Sequence, residues 1–105
     1  MPRPRAYGRR GSWFAEVLGI DLPCVSTHHL KQGRYLDPGA KPNDKRWQTY
    51  FNAIAKGKVI LTSTEQTPDG RSIRNGYSGV YTVTNVRFST AGIEFDLGDR
   101  ELRLA

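Results

Sequence analysis

The chain has 105 residues, of which 37% are hydrophobic and 25% are charged, and it contains a single cysteine, Cys24. This length predicts one small domain, the single cysteine excludes an internal disulfide and a four-cysteine zinc site, and no run of about 18 apolar residues is present to span a membrane. The formal net charge of +6 favours polyanionic partners and a soluble protein, which we expect to be cytoplasmic.

Residues 1–11, MPRPRAYGRRG, are predicted to form a flexible basic arm. Their Pro, Arg and Gly content supplies too little apolar surface to offset the entropy of ordering the chain. Arginine arms of this kind contact phosphates in nucleic-acid binders. The candidates are Arg3, Arg5, Arg9 and Arg10. A solubilising terminus is the alternative interpretation, and residues 12–105 are predicted to form the single folded domain.

The segment SWFAEVLGIDLPCV, residues 12–25, predicts a β-hairpin. Aromatic and branched residues flank the turn Leu18-Gly19-Ile20-Asp21 at hairpin spacing. Cys24 lies in the apolar second strand and is expected to be a small buried hydrophobe, with a catalytic thiol as the alternative.

The stretch STHHLKQGRYLDPGAKP, residues 26–42, is predicted to be a long irregular connection, because glycine and proline interrupt it repeatedly. Long connections in compact domains are often functional. This one combines cations with an aromatic ring, the mixture that holds single-stranded or flipped bases beside a charged groove. The candidate nucleic-acid-binding residues are His28, His29, Lys31, Arg34, Tyr35 and Lys41. A solvated basic loop has the same composition.

One α-helix is predicted at about residues 44–56. Asn43 or Asp44 is a suitable N-cap, and Gly57 is a stop signal. An apolar stripe with i, i+3, i+4, i+7 spacing is expected to pack on a sheet. Its members are Trp47, Tyr50, Phe51 and Ile54. The opposite polar face, which includes Lys45, is interpreted as an ordinary solvated surface.

Strands are predicted on both sides of a second polar loop. KVILTST, residues 58–64, suits a buried strand, and the loop at residues 65–75 carries two further basic candidates, Arg71 and Arg74. Residues 77–97 predict a hairpin. Its first strand is apolar on both faces, so we expect it to be central or to bend at a bulge near Gly79.

The tail GDRELRLA predicts a final edge strand through Leu102 and Leu104. The elements together predict an α+β fold. We expect a small, partly open β-barrel of five to six mainly antiparallel strands, with the helix closing one end.

Metal and hydrolase sites are weakly indicated. Adjacent histidines on an extended backbone point to opposite sides, so His28 and His29 do not both face one ion unless the chain turns sharply. Cys24 and Asp37 are the other potential zinc ligands. Glu94 and Asp96 share a strand face and could hold magnesium as nuclease carboxylates do, with a solvated face as the favoured alternative. No hydrolase, phosphate-loop or dinucleotide-binding motif is present. We therefore predict no catalytic residue, metal ligand or cofactor, and a metal-dependent hydrolase is the third-ranked function.

The strand Lys58-Val59-Ile60-Leu61-Thr62 and the later strand Gly79-Val80-Tyr81-Thr82-Val83-Thr84-Asn85-Val86 resemble the middle of PUA-like domains of the ASCH and EVE kind. The resemblance covers residues 43–97 and does not extend to the opening hairpin. It implies a small barrel that reads RNA or a modified or flipped DNA base in an aromatic pocket. Such a pocket would use Trp13, Tyr35 and Tyr81, whose alternative role is in the core.

The leading hypothesis is a non-enzymatic nucleic-acid-binding domain, with DNA or RNA as partner and no membrane association. The second hypothesis is a protein-interaction or regulatory module of a bacterial or phage system, with a protein partner docked at an exposed strand edge.

Overall fold

A computed structural model describes residues 6–7, 13–70 and 72–104, and the side chains within this range except those of residues 6–7, 64–66 and 72–75. The strands are β1 (Ala6–Tyr7), β2 (Phe14–Val17), β3 (Ile20–Ser26), β4 (Leu30–Lys31), β5 (Arg34–Asp37), β6 (Lys58–Gln66), β7 (Ser72–Ser89) and β8 (Gly92–Arg103). A 3₁₀ turn spans Thr27–His29, and one α-helix, α1, spans Lys45–Ile54.

The strands form one mixed sheet in the order β1-β2-β3-β6-β7-β8-β5-β4. The β3–β6 pair is parallel and every other neighbouring pair is antiparallel. Because β1 and β4 lie at opposite ends of this order, the described strands make an open sheet. The predicted α+β class with one helix is confirmed, whereas the barrel and the count of five to six strands are not.

The additional strands come from segments that the sequence analysis did not assign to the sheet. Gln32 and Gly33 have positive φ angles of 51° and 80° and make a two-residue turn, so β4 and β5 form a hairpin inside the predicted irregular connection. In the predicted arm, Ala6 and Tyr7 pair with β2 as β1. The remainder of the arm lies outside the described residues.

The helix agrees with its prediction at both ends. The Asp44 carboxylate accepts hydrogen bonds from the backbone N–H groups of Arg46 and Trp47, at 2.8 and 3.4 Å, and so caps α1. Gly57, with φ of 104°, follows the helix, and its carbonyl accepts a hydrogen bond from the N–H of Val83. The apolar stripe of the helix packs on the sheet, where it forms one core with residues of the strands.

The central strand β7 is both covered and bulged. Its register against β6 shifts beside Gly79, where a Cβ atom would lie 2.5 Å from the carbonyl oxygen of Leu102, so only glycine fits. Two predictions here are wrong. Leu102 pairs with Val80 as a continuation of β8 rather than as a separate edge strand, and the polar loop at 65–75 is shorter because β6 and β7 extend into it.

Both faces of the sheet are apolar, as the alternation along β6 shows. Val59 and Leu61 face the α1 core, whereas Ile60 faces the second, smaller hairpin core. The α1 core also contains Val25, Tyr35, Ala40, Tyr50, Ile54, Val83, Ile93 and Phe95. The hairpin core also contains Ala15, Val17, Cys24, Val80 and Leu104. Cys24 is therefore buried, as predicted.

Candidate nucleic-acid interface

The two histidines lie in an ordered turn rather than on extended backbone. The Ser26 hydroxyl accepts a hydrogen bond from the His28 N–H at 3.1 Å and caps the 3₁₀ turn. His29 turns toward β5, where its Nε2 lies 3.8 Å from Asp37 Oδ1 and its ring meets the Tyr35 ring edge to face at 5.7 Å. His28 is exposed. The turn thus directs His29 toward Asp37 and Tyr35 and leaves His28 exposed to solvent.

Tyr35 is a core residue in this fold. It is 2% exposed, and its ring stacks on Phe95 with centroids 4.4 Å apart. Burial, followed by the nearby Asp37 carboxylate, raises the pKa of its hydroxyl far above the ordinary value. The alternation of β5 explains this placement, because Tyr35 points inward while Arg34 and Leu36 point outward. The ring faces of Tyr35 are used in packing.

Arg34 is paired with acidic residues across the β5–β8 ladder. Its guanidinium contacts Asp96 Oδ1 at 2.7 Å and Glu94 Oε2 at 3.3 Å. Asn85 donates a second hydrogen bond to Asp96 at 2.7 Å, and this bond, followed by the one from Arg34, lowers the pKa of the Asp96 carboxyl. The two carboxylates considered as magnesium ligands therefore neutralise Arg34.

The other predicted residues are dispersed. Lys31 is exposed on the edge strand β4, and Tyr81 is half-buried in β7 with its hydroxyl 3.2 Å from Ser78 Oγ. Arg74 is described only as backbone in β7. Arg3, Arg5, Arg9, Arg10 and Arg71 lie outside the described residues.

A cluster of aromatic rings and cations forms where β2 begins and α1 begins. The Trp13 and Trp47 rings are 4.4 Å apart, and both indoles are half-buried. The guanidinium carbon of Arg46 lies 3.9 Å from the centroid of the Trp13 ring. Trp13 itself is fixed by its carbonyl, which accepts a hydrogen bond from the Cys24 N–H at 2.8 Å. Arg46 is therefore held by a rigid aromatic support.

Two lysines join this cluster through the loop that precedes the helix. The Lys41 carbonyl accepts a hydrogen bond from the Asp44 N–H at 3.1 Å, and the Gln48 side chain donates to the Pro42 carbonyl at 2.7 Å. These contacts fold the loop onto the first turns of α1. Lys41 is exposed in this loop, and Lys45 is exposed in the first turn of the helix, directly before Arg46 in the sequence. We name Trp13, Lys41, Lys45, Arg46 and Trp47 the Arg46 patch.

The Arg46 patch carries a net positive charge. Within the described part of the chain, Lys41, Lys45 and Arg46 form no ion pair with an acidic side chain. The first turn of α1 contains no acidic residue, and the helix dipole adds partial positive charge at this end. The capping carboxylate of Asp44 is the opposing charge.

No family model, curated protein or solved structure matches the chain. These comparisons therefore do not support the resemblance of β6 and β7 to PUA-like domains. Strands β6 and β7 are neighbours in the sheet, with Val59 paired with Tyr81. The sheet that contains them is open and is not the barrel that the resemblance implies.

Among the described residues, no group of three or more His, Cys, Asp or Glu side chains is arranged to hold a metal ion. No helix in the described ranges is long and apolar enough to cross a membrane.

Sequence analysis identified Trp13 and Lys41 but did not identify the rest of the Arg46 patch. The signal was present in the segment DKRWQTY, where two cations directly precede a tryptophan at a helix start. Local spacing assigns Lys45 to the polar face and Trp47 to the apolar stripe and gives Arg46 no role, because only the tertiary fold brings Trp13 from another element beneath Arg46.

Proposed function

We propose that this protein binds single-stranded DNA or RNA at the Arg46 patch, as a binding domain rather than an enzyme. The observation that carries the proposal is the stacking of Arg46 on Trp13 without an acidic partner among the described residues. A guanidinium held by its face on an indole keeps its N–H edge available for a phosphate, which it binds with two parallel hydrogen bonds.

The surroundings of Arg46 suit a polyanion that carries bases. Lys41 and Lys45 add two exposed positive charges within the same loop and helix start. The half-buried indoles of Trp13 and Trp47 provide aromatic surface, and stacking of one base on such a ring contributes about 1 to 3 kcal/mol. Single strands fit better than duplexes because their bases are free to stack.

Two residues that the sequence indicates as nucleic-acid contacts are engaged elsewhere in the fold. Arg34 is engaged by Asp96 and Glu94, and Tyr35 is buried against Phe95. Lys41 and Trp13 remain from the predicted set. The arm arginines are proposed as additional phosphate contacts.

The test is a fluorescence-anisotropy titration of labelled single-stranded DNA, single-stranded RNA and duplexes at two salt concentrations. Arg46→Gln is expected to weaken single-strand binding by about ten-fold, the effect of losing a hydrogen bond to a charged group. Arg103→Gln is the matched control, because it removes the same charge from an exposed position on β8. An equal loss in both variants would mean that binding is only a response to net charge.

The protein-interaction hypothesis is favoured by a separate observation at the other end of the β2–β3 hairpin, where aliphatic side chains are exposed. Nothing in the described residues favours a metal-dependent hydrolase.

A further inference from the structure

The turn of the β2–β3 hairpin contains an unfavourable choice of residue. Leu18 and Gly19 have φ angles of 52° and 80°, the combination that a two-residue turn requires. Asn or Gly suits the first position, whereas a bulky residue at positive φ is strained. Leu18 is also 72% exposed, and Ile20, immediately after the turn, is 61% exposed. The fold thus places two aliphatic side chains in water on a strained turn.

Among the described residues, the charges beside this turn are also unfavourable. Glu16 and Asp21 are paired directly across the two strands, and both are exposed. Like charges opposite each other on antiparallel strands destabilise the pair. Neither carboxylate forms an ion pair with another described residue. We name Glu16, Leu18, Ile20 and Asp21 the hairpin tip. Successive cross-strand pairs face opposite sides, so Ile20 lies on one face of the tip and the two carboxylates lie on the other, with Leu18 at the end. The chain that carries this tip has a net charge of +6.

The hairpin tip and the Arg46 patch lie at opposite ends of the same hairpin. Trp13 precedes β2 and hydrogen-bonds with Cys24, whereas Leu18 is the turn. A strand rises about 3.4 Å per residue, so the five steps along the chain from Trp13 to Leu18 span roughly 17 Å. Leu18, at the turn, therefore cannot reach the patch of its own chain.

The two surfaces are complementary in chemistry. The tip offers two aliphatic side chains and two carboxylates, and the Arg46 patch offers two half-buried indoles and three cations. We propose that the hairpin tip of one molecule docks on the Arg46 patch of a second copy of this chain. The contact relieves the like-charge pair and covers Leu18 and Ile20. It goes beyond the proposed nucleic-acid function and does not rest on it.

The proposed contact is a head-to-tail contact. It joins different surfaces of the two copies, so each molecule retains one free tip and one free patch, and the contact repeats head to tail. Two aliphatic side chains bury far less area than a stable dimer interface requires, so the association is weak and depends on concentration. Because it pairs opposite charges at the surface, it weakens with salt.

The experiment is sedimentation velocity on the full chain from micromolar to millimolar concentration, at low and high salt. The weight-average mass is expected to rise above the monomer value of 11.8 kDa with concentration, and less so at high salt. Leu18→Asn is expected to reduce the association at least ten-fold while relaxing the turn. Ile20→Thr should also reduce it. Leu36→Thr is the matched control, because Leu36 is an exposed aliphatic residue on β5, away from the tip.

The patch side of the contact is tested with the same measurement. Arg46→Gln is expected to reduce the association, and Arg103→Gln to leave it unchanged. A mass that stays at the monomer value throughout, or an association that Leu18→Asn or Arg46→Gln does not weaken, overturns the proposal. Nucleic-acid binding is measured separately at nanomolar protein, where copies do not associate, so each proposal can fail without the other.

Discussion

At the residue scale, a buried hydrogen-bond chain joins the helix to the two halves of the sheet. The Tyr50 hydroxyl donates to the carbonyl of Cys24 at 2.5 Å and also hydrogen-bonds with the Tyr35 hydroxyl. Burial, followed by the neighbouring Tyr35, raises the pKa of Tyr50 well above 10. The neutral hydroxyl is thus favoured by folding, and its contribution to stability is present below pH 10 and is lost as the pH rises above that value.

Tyr50→Phe is expected to lower the free energy of unfolding by about 1 to 3 kcal/mol, because the buried carbonyl of Cys24 loses its donor from α1. Urea denaturation at neutral pH measures this change. Tyr81→Phe is the matched control: its hydroxyl contacts Ser78 Oγ in a half-buried position, where water can replace it, so the expected loss is below about 0.5 kcal/mol. Equal losses in the two variants would contradict the structural role given to Tyr50.

At the element scale, the helix α1 is predictable from the sequence, whereas its contribution to the Arg46 patch is not. Its cap, apolar stripe and end were evident from local spacing, because 3.6-residue periodicity and capping chemistry are encoded within the segment. The hairpin of β4 and β5 was not evident, since Gln32-Gly33 is a less typical turn pair than Asn-Gly. β5 also depends on a partner that is distant in the sequence, β8.

Asp44→Asn separates the two roles of the residue that caps α1. Asparagine caps a helix about as well as aspartate, so the free energy of unfolding is expected to change by less than about 1 kcal/mol. Removal of the negative charge beside Lys45 and Arg46 is expected to tighten single-strand binding by up to about five-fold. Thermal melting and anisotropy measure the two effects. Asp99→Asn, an exposed acid on β8, is the control and should not alter binding.

At the scale of the whole molecule, positive charge is distributed between the arm and the folded domain. Four of the 16 lysines and arginines lie in residues 1–11. Within the fold, Arg34 and Lys58 are neutralised by ion pairs, whereas the Arg46 patch is not neutralised by a described acidic residue. The arm is therefore expected to increase affinity in general, and the patch to distinguish single strands from duplexes.

Replacement of the four arm arginines by glutamine is expected to weaken binding to every nucleic acid alike. On a single strand, the slope of log affinity against log salt should fall by about 0.7 for each phosphate contact that is lost. Substitution keeps the backbone of β1, which deletion of the arm would remove. Lysine at the same four positions is the control that conserves charge. If the glutamine variant loses the preference for single strands while Arg46→Gln retains it, recognition lies in the arm.

Local sequence patterns specify the class of the fold, the helix α1, the opening hairpin, the burial of Cys24 and the excess of positive charge. These features follow from periodicity, capping, turn chemistry and composition, which act over a few residues. Only the tertiary structure decided which cations are neutralised and which aromatic rings are partly exposed. Trp13 and Arg46 are 33 positions apart in the sequence, and Arg34 and Asp96 are 62 apart. Such contacts depend on strand order and register, which no local pattern specifies.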